Sequence, residues 1–450
     1  MSGLLDRATV HRAWQEIRRG VRRALGLTTV KHATPRMFPG AVRLGQEEEE
    51  AAVTAVREVM RSKRLFRFFG VARNPWQASR VRRLERDFAG RMGVEHALAV
   101  NSGTSALVCA LVGLGVGPED EVIIPAYTWV SSASAVLAVG AVPIIAEVDD
   151  SLTLDPADVA RRITPQTRVI VPVHMRGAPA DMAAVRSLAD AHGLVVLEDA
   201  AQATGAQFRG SPVGSLGDAG AFSFHLTKIM TAGEGGMVTT NDPEVYRRAA
   251  MYHDSAACPH LGVAMADWIA GLNLRMSEIH AAIAQVQLGR LTGLLADMRT
   301  RKARLEELVA DDLVRAGATL RRIHDPKGDA CTCFVFFLPE KAAARRVVSA
   351  LVDEDVPASR LYQDGQSLPR DHVDLHAVAA WAPILEKRTW TPRGGPWRGH
   401  PREIDYRTSE YPVTMDLLAR AVHIDISPEL TPAQVEQMSA AIRTVVATRV

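Results

Sequence analysis

Short apolar runs of four to eight residues recur through the middle of the chain, with longer helix-like stretches between several of them. The runs are HALAV (96–100), EVIIPA (121–126), AVPIIAEV (141–148), RVIVPVHM (168–175), GLVVLEDA (193–200) and GAFSFHL (220–226). Runs this short and continuous read as strands buried on both faces. Stretches such as TSALVCALVGLG and DMAAVRSLADAHG between them read as crossover helices, which predicts βαβ units and a mostly parallel sheet. Residues 41–310 are assigned to this large α/β domain, which ends in a long helical connector from about Leu272 to Leu308. Residues 311–450 combine strand-like CFVFFL with helical EKAAARRVVSALVDED and TPAQVEQMSAAIRTVV, giving a smaller α+β domain. Within it, residues 364–412 are rich in Pro, Gly, Trp and Arg and are expected to form a long loop or insertion. There is no internal repeat.

Composition narrows the class without changing the fold. The chain has 450 residues, 47% of them hydrophobic and 23% charged, which suits a globular protein. A net charge of +2 gives no footprint for nucleic acid. Cys109, Cys258, Cys331 and Cys333 form no disulfide framework, CxxC pair or metal-ligand cluster, so a cytoplasmic protein with free thiols and no metal is expected. No apolar run is long enough to span a membrane. Residues 1–40 are basic and roughly amphipathic, without the features of a secretory signal. They are read as a solvated or partner-covering extension in preference to a membrane-surface helix.

One lysine then stands out. The chain holds seven lysines against 46 arginines, yet places Lys228 between a strand-like run and a glycine-rich turn, AFSFHLTKIMTAGEGG. A partly buried lysine can lose its proton and attack a carbonyl, which arginine cannot do. Two further features fit it. AVNSGTSAL (99–107) runs from a strand through small residues into a helix, and helix N-terminal N–H groups suit a phosphate. VVLEDAAQATGA puts Glu198 and Asp199 at the C-terminal end of a buried strand, where a carboxylate can pair with a protonated ring nitrogen. Each feature has a bland reading: a surface lysine, a capped turn, an ordinary N-cap. In this chain order, together, they are the parts of a pyridoxal phosphate (PLP) site. Tyr127 or Trp129 could stack on the ring, while core packing accounts for one of the two.

These stretches, with PAYTWVSS, VHMRGAPADM, AGEGGMVTT and GLNLRMSEIHAAI, resemble the DegT/DnrJ/EryC1/StrS family of PLP-dependent aminotransferases. The resemblance runs from about Val42 to the C-terminus and is densest over 95–290. It implies a fold-type-I transferase with a seven-stranded, mostly parallel sheet, working as a homodimer with shared active sites. It implies that Lys228 forms the Schiff base and shuttles protons, and that Asp199 pairs with the pyridinium nitrogen. Gln202 would contact the ring hydroxyl side. Gly103, Thr104 and Ser223 would bind the phosphate, Trp129 would stack on the ring, and Asn273 would reach the phosphate from the neighbouring subunit. Arg275 and Glu278 are read as structural, with Arg275 also placed to meet a donor carboxylate.

The implied reaction moves an amino group from L-glutamate or L-glutamine to a keto-sugar or keto-cyclitol by a ping-pong mechanism. Antibiotic or other specialised biosynthesis is the implied setting. The alternative is another PLP chemistry on the same site, such as a dehydratase, an aromatising synthase or a lyase; a non-catalytic binding protein is a third class. His225 is read as a wall residue. His376 and Trp381 are read as lining the acceptor pocket or only packing it. The TWTPRGGPWRGHP stretch lies in the part of the chain that shapes that pocket in the family.

Overall fold

The computed structural model describes residues 39–63, 79–362, 375–389, 391 and 394–450. The basic extension expected over 1–40 lies outside the described residues up to residue 38. The strands are β1 (His96–Val100), β2 (Glu121–Pro125), β3 (Val142–Ala146), β4 (Thr167–Ile170), β5 (Val195–Asp199), a short hairpin of β6 (Gln207–Phe208) and β7 (Ser211–Pro212), β8 (Ala219–Ser223), β9 (Gly236–Thr240), β10 (Thr319–Leu320), β11 (Cys333–Phe337), β12 (Ala358–Ser359) and β13 (Ala421–Asp425). The longer helices are α1 (Gln46–Ser62), α2 (Arg80–Met92), α3 (Gly103–Gly113), α4 (Ser131–Ala138), α5 (Pro156–Arg162), α6 (Met182–His192), α7 (Pro243–His253), α8 (Glu278–Arg315), α9 (Lys341–Asp353), α10 (Pro412–Arg420) and α11 (Pro432–Arg449).

A seven-stranded sheet has the order β1-β9-β8-β5-β4-β2-β3. Strand β9 runs antiparallel to both β1 and β8, while β2, β3, β4, β5 and β8 pair in parallel. The mostly parallel α/β expectation therefore holds. Residues Val122–Ile124 and Val142 are fully buried, as continuous apolar strands covered on both faces must be. The C-terminal ends of the parallel strands share one side of the sheet, so Asn101, Ala126, Asp199 and Ser223 come to the same rim. Ligands of open α/β sheets bind there.

The second sheet has the order β10-β11-β13-β12. Strand alternation in β13 sends Val422 and Ile424 into the core beneath α9 and α11, and leaves His423 and Asp425 on the opposite face. The long helix α8 starts at Glu278, later than the sequence pattern suggested. Ser277 caps it, accepting from His280 N–H, and the helix continues to Arg315. The stretch before it, Gly271–Met276, is extended and lies against the start of α3, with Asn101 N–H donating to the Leu274 carbonyl at 2.8 Å.

The Pro/Gly/Trp/Arg-rich segment divides in two. Residues 375–381 return to the site rim, where Thr128 and Val130 N–H donate to the His376 and Leu375 carbonyls. The later part goes elsewhere. Its described residues and those that follow meet the large sheet at β2 and at the edge strand β3. Arg402 Nε donates to buried Glu121 at 2.5 Å, and Tyr406 hydroxyl donates to the Pro143 carbonyl at 2.6 Å while accepting from Trp397 Nε1 at 2.9 Å. Further along, the first N–H groups of α10 at Val413 and Thr414 donate to Glu147 just past β3, where the helix dipole favours a carboxylate. An uncovered edge strand invites pairing with another chain, and this segment covers it. Tyr406→Phe leaves a carbonyl and an indole N–H without their partner. We expect it to cost about 1–3 kcal/mol in denaturant titration, without changing any activity seated at the opposite strand ends.

Candidate active site

A cavity of about 460 Å³ opens at the C-terminal rim of the large sheet, and Lys228, Asp199, Gly103, Thr104, Ser223, Gln202 and Trp129 all line it. Seven of the eight positions singled out in the sequence thus meet in one place. The eighth, Asn273, does not. It is exposed, lies outside the cavity and bridges through its backbone to Asp254.

The anion seat is the start of α3. Ser102 caps that helix: its hydroxyl accepts from Ser105 N–H at 3.1 Å and its carbonyl accepts from Ala106 N–H at 3.0 Å. The N–H groups of Gly103 and Thr104 come before the first intrahelical bonds and face the cavity. Gly103 is required by close approach, because a Cβ there would come within 2.7 Å of the Ser223 Cβ. The helix end and the end of β8 can therefore share one small anion.

Asp199 and Glu198 are neighbours on β5, and alternation sends them to opposite faces. Asp199 faces the cavity. Its carboxylate accepts from Ser132 Oγ at 2.9 Å and from Ala201 N–H at 3.1 Å, so it turns the chain rather than capping a helix. Burial pushes its pKa up, opposed by those two hydrogen bonds and by the charges of Lys228 and His174. A cationic N–H brought to it would remove that penalty, so this carboxylate fits a protonated ring nitrogen. Glu198 is wholly buried and structural. It accepts from Gly214, Leu216 and Gly217 N–H at 2.6–2.8 Å, and from His174 Nε2 at 2.9 Å. His174 Nδ1 accepts from Ala180 N–H, which fixes the tautomer.

Lys228 sits in the compact loop from β8 to β9. Burial lowers its pKa, the Asp199 charge raises it and the Arg176 charge lowers it, with burial prevailing. An amine held below its ordinary range is a better base and nucleophile near neutral pH. The loop is pinned from outside by Gly40, whose N–H donates to the Lys228 carbonyl at 3.1 Å. His225 stands at the wall, its side chain within 3.8 Å of Glu234.

The aromatic candidates separate cleanly. Trp129 lines the cavity and is 41% exposed, with His376 packed on it at 5.0 Å between ring centroids. Tyr127 is fully buried, and its hydroxyl accepts from Arg176 Nε at 3.2 Å. His376 lines the cavity, whereas Trp381 is fully buried in the core and donates to the Leu375 carbonyl. Arg275 pairs with buried Asp254 at 2.5 Å, and Glu278 accepts from Ser79 and from Arg80 N–H at the start of α2. Both act as structural residues.

Wall residues that sequence reasoning missed include Ser132, Arg176, Thr332, His423 and Asp425. The His-x-Asp alternation of AVHID could have shown that His423 and Asp425 share a strand face. Nothing in VHMRG shows that Arg176 adopts a left-handed backbone, with φ of 55°.

A helix N-terminus, a buried carboxylate and a lysine with a depressed pKa meet on one α/β rim. The sequence model of the DegT/DnrJ/EryC1/StrS aminotransferase family matches residues 47–381, and the chain belongs to that family. It is 36% identical over 363 residues to L-glutamine:2-deoxy-scyllo-inosose aminotransferase of Streptomyces paromomycinus, covering 77% of this chain and 81% of that one. It is 41% identical over 350 residues to the enzyme of the same name from Streptoalloteichus tenebrarius, covering 75% and 79%. Among solved structures, 3-amino-5-hydroxybenzoic acid synthase superposes with a TM-score of 0.74 at 30% identity, covering 92% of this chain and 99% of that one. Among the described residues no helix is long and apolar enough to cross a membrane, and no cluster of three potential metal ligands occurs.

A buried carboxyl with a raised pKa holds a proton that the unfolded chain has already released. Its stabilising contribution is therefore complete below the ordinary carboxylate pKa and is lost as pH rises through the raised value. Asn at position 199 carries no such pH-dependent contribution. Ligand-free Asp199→Asn should melt above the wild type near neutral pH, with the gap closing as pH falls toward about 4. A gap independent of pH in parallel thermal melts would contradict the assigned burial of the charge.

Proposed function

We propose that this aminotransferase uses PLP and moves the amino group of L-glutamine, or of L-glutamate, to a keto-cyclitol or keto-sugar, with a keto-cyclitol as first choice. The observation that carries the reading is the convergence of the α3 N-terminus, Asp199 and Lys228 on one cavity. The two inosose aminotransferases cited above support the choice of glutamine and of a cyclitol.

The residues divide the work as follows. Gly103, Thr104 and Ser223 hold the phosphate, and Trp129 covers one ring face. Gln202 stands at the ring hydroxyl side, its Oε1 already accepting from Arg176 N–H at 3.2 Å. Asp199, itself held by Ser132, keeps the ring nitrogen protonated. When bound, the cofactor supplies an aldehyde carbon to receive the amino group and an electron-withdrawing ring to absorb the electrons of the broken C–H bond. Lys228 Nζ takes the proton from the donor α-carbon and, in the second half-reaction, returns one to the carbon that becomes the amine. Asn273, exposed and outside its own cavity, is assigned to the site of a second copy, in a homodimer with shared sites. The division into residues 41–310 and 311–450, a cytoplasmic location and a role in antibiotic or related biosynthesis belong to the same proposal.

Protein purified with PLP should show a visible absorbance band that L-glutamine bleaches, and the band should be absent in Lys228→Ala. Bleaching by L-glutamate instead would reassign the donor. A band that neither amino acid bleaches would move the protein to another PLP chemistry, and the absence of a band would overturn the cofactor.

A further inference from the structure

The two protonation forms of Asp199 do opposite things to a ring nitrogen. The ionised form accepts the N–H of a protonated ring. The neutral form donates its own proton and leaves the ring uncharged. Only the first gives the ring its full electron-withdrawing power. Burial favours the second, because it penalises charge. The groups behind Asp199 therefore decide which form meets the ring.

Those groups are one backbone N–H and a pair of hydroxyls. Ala201 N–H donates to Asp199 Oδ1 at 3.1 Å, and Ser132 Oγ donates to Oδ2 at 2.9 Å. Thr128 Oγ1 lies 2.8 Å from Ser132 Oγ. Thr128 and Ser132 are both buried at the cavity wall. A hydroxyl has a single proton to give. With the Ser132 proton on the carboxylate, the contact between the hydroxyls is made with Thr128 as donor. The two bonds run in one direction, from Thr128 to Ser132 to Asp199, and each polarises the next.

The local structure gives these hydroxyls no other task. Helix α4 begins at Ser131, and its N-terminus has no side-chain cap. Hydroxyls near a helix start ordinarily accept from its free N–H groups. Those of Thr128 and Ser132 are turned to the carboxylate instead, reaching from the segment after β2 to the end of β5, with β4 between those strands in the sheet. Thr128 is fixed by its backbone, whose N–H donates to the His376 carbonyl at 2.9 Å.

We propose that Thr128 and Ser132 are positioning residues for the cofactor: their hydroxyls, donating in series, hold Asp199 as a carboxylate and so keep the ring nitrogen protonated. The proposal rests on the PLP reading above and deepens it. Both residues act through Asp199, and neither takes a proton from the substrate.

The test offers the full-length protein a mixture of PLP and its deaza analogue, in which C–H replaces the ring nitrogen, and reads the ratio bound at equilibrium by mass spectrometry. Both compounds carry the phosphate and the aldehyde, so the ring position alone separates them. The wild type should favour PLP. Facing a C–H, the buried Asp199 takes up a proton. Ser132→Ala therefore removes a hydrogen bond to a charged acceptor in one complex and to a neutral acceptor in the other, and the ratio should fall about 5–10-fold. Thr128→Val should lower it about 2-fold. The double variant should match Ser132→Ala, since Thr128 acts only through Ser132. Ser132→Thr, which keeps the hydroxyl, should stay nearer the wild type. Each ratio is taken within one sample, so loss of folded protein leaves it unchanged. An unchanged ratio in Ser132→Ala overturns the proposal. A double variant whose loss is the product of the two single losses overturns the series arrangement. A wild type that binds both compounds equally overturns the ring-nitrogen role of Asp199, and one that binds neither overturns the cofactor itself.

Discussion

One buried carboxylate holds the site together. Glu198 lies in the middle of the sheet without solvent, a position that is costly for a charge unless every lone pair is engaged. Three backbone N–H groups from residues 214–217 and the ring of His174 engage it. Those partners come from separate parts of the chain. The turn before β8 leads to Ser223 and then to Lys228, and His174 leads directly into the turn that carries Arg176. Because Asp199 is the next residue on the same strand, fixing Glu198 fixes the direction in which Asp199 points. A residue that touches no ligand thereby sets the spacing of the carboxylate, the lysine loop and the arginine turn.

The large sheet supplies the reactive groups, and the rest of the wall comes from elements remote in sequence. Gly40 pins the lysine loop, His376 backs Trp129, and β13 brings in His423 and Asp425. The two sheets therefore serve different purposes. Strand ends of a parallel sheet give fixed positions for chemistry that is the same in every turnover. A wall assembled from a turn, a returning segment and a second sheet can differ between enzymes of similar chemistry.

The sequence made the first set legible and left most of the second hidden. Short apolar runs gave the strands because full burial on both faces forbids polar residues there, and the sheet's direction followed from the helices between them. Lys228, Asp199 and the α3 turn could be read because each needs a particular residue at a particular strand end. Trp381 and His376 could not be told apart, since both follow an apolar pattern and only the packing decides which one meets the cavity. The Trp/Pro/Arg-rich stretch was legible only as a loop. Its composition marks a loop, but only the pairing of Arg402 with Glu121 and of Tyr406 with the β3 edge shows where the chain just past it meets the large sheet. Arg176 was invisible because its place depends on a left-handed backbone and on contacts from Gln202, Thr332 and Tyr127 in other segments.

The proposed function gives the lysine that is rare in this chain a physical reason. On the proposed reading, the position after β8 needs an amine that can give up its charge. Arginine holds its proton under any condition in which the fold survives, so it can offer a fixed charge and a planar set of donors to a carboxylate. Lysine yields its proton when burial and a neighbouring cation both weigh against the charge, and here that cation is Arg176. On that reading, an arginine at position 228 would face the reacting carbon with a guanidinium that cannot accept a proton. The preference for arginine elsewhere in the chain does not conflict with Lys228, because this position requires a group that can be neutral.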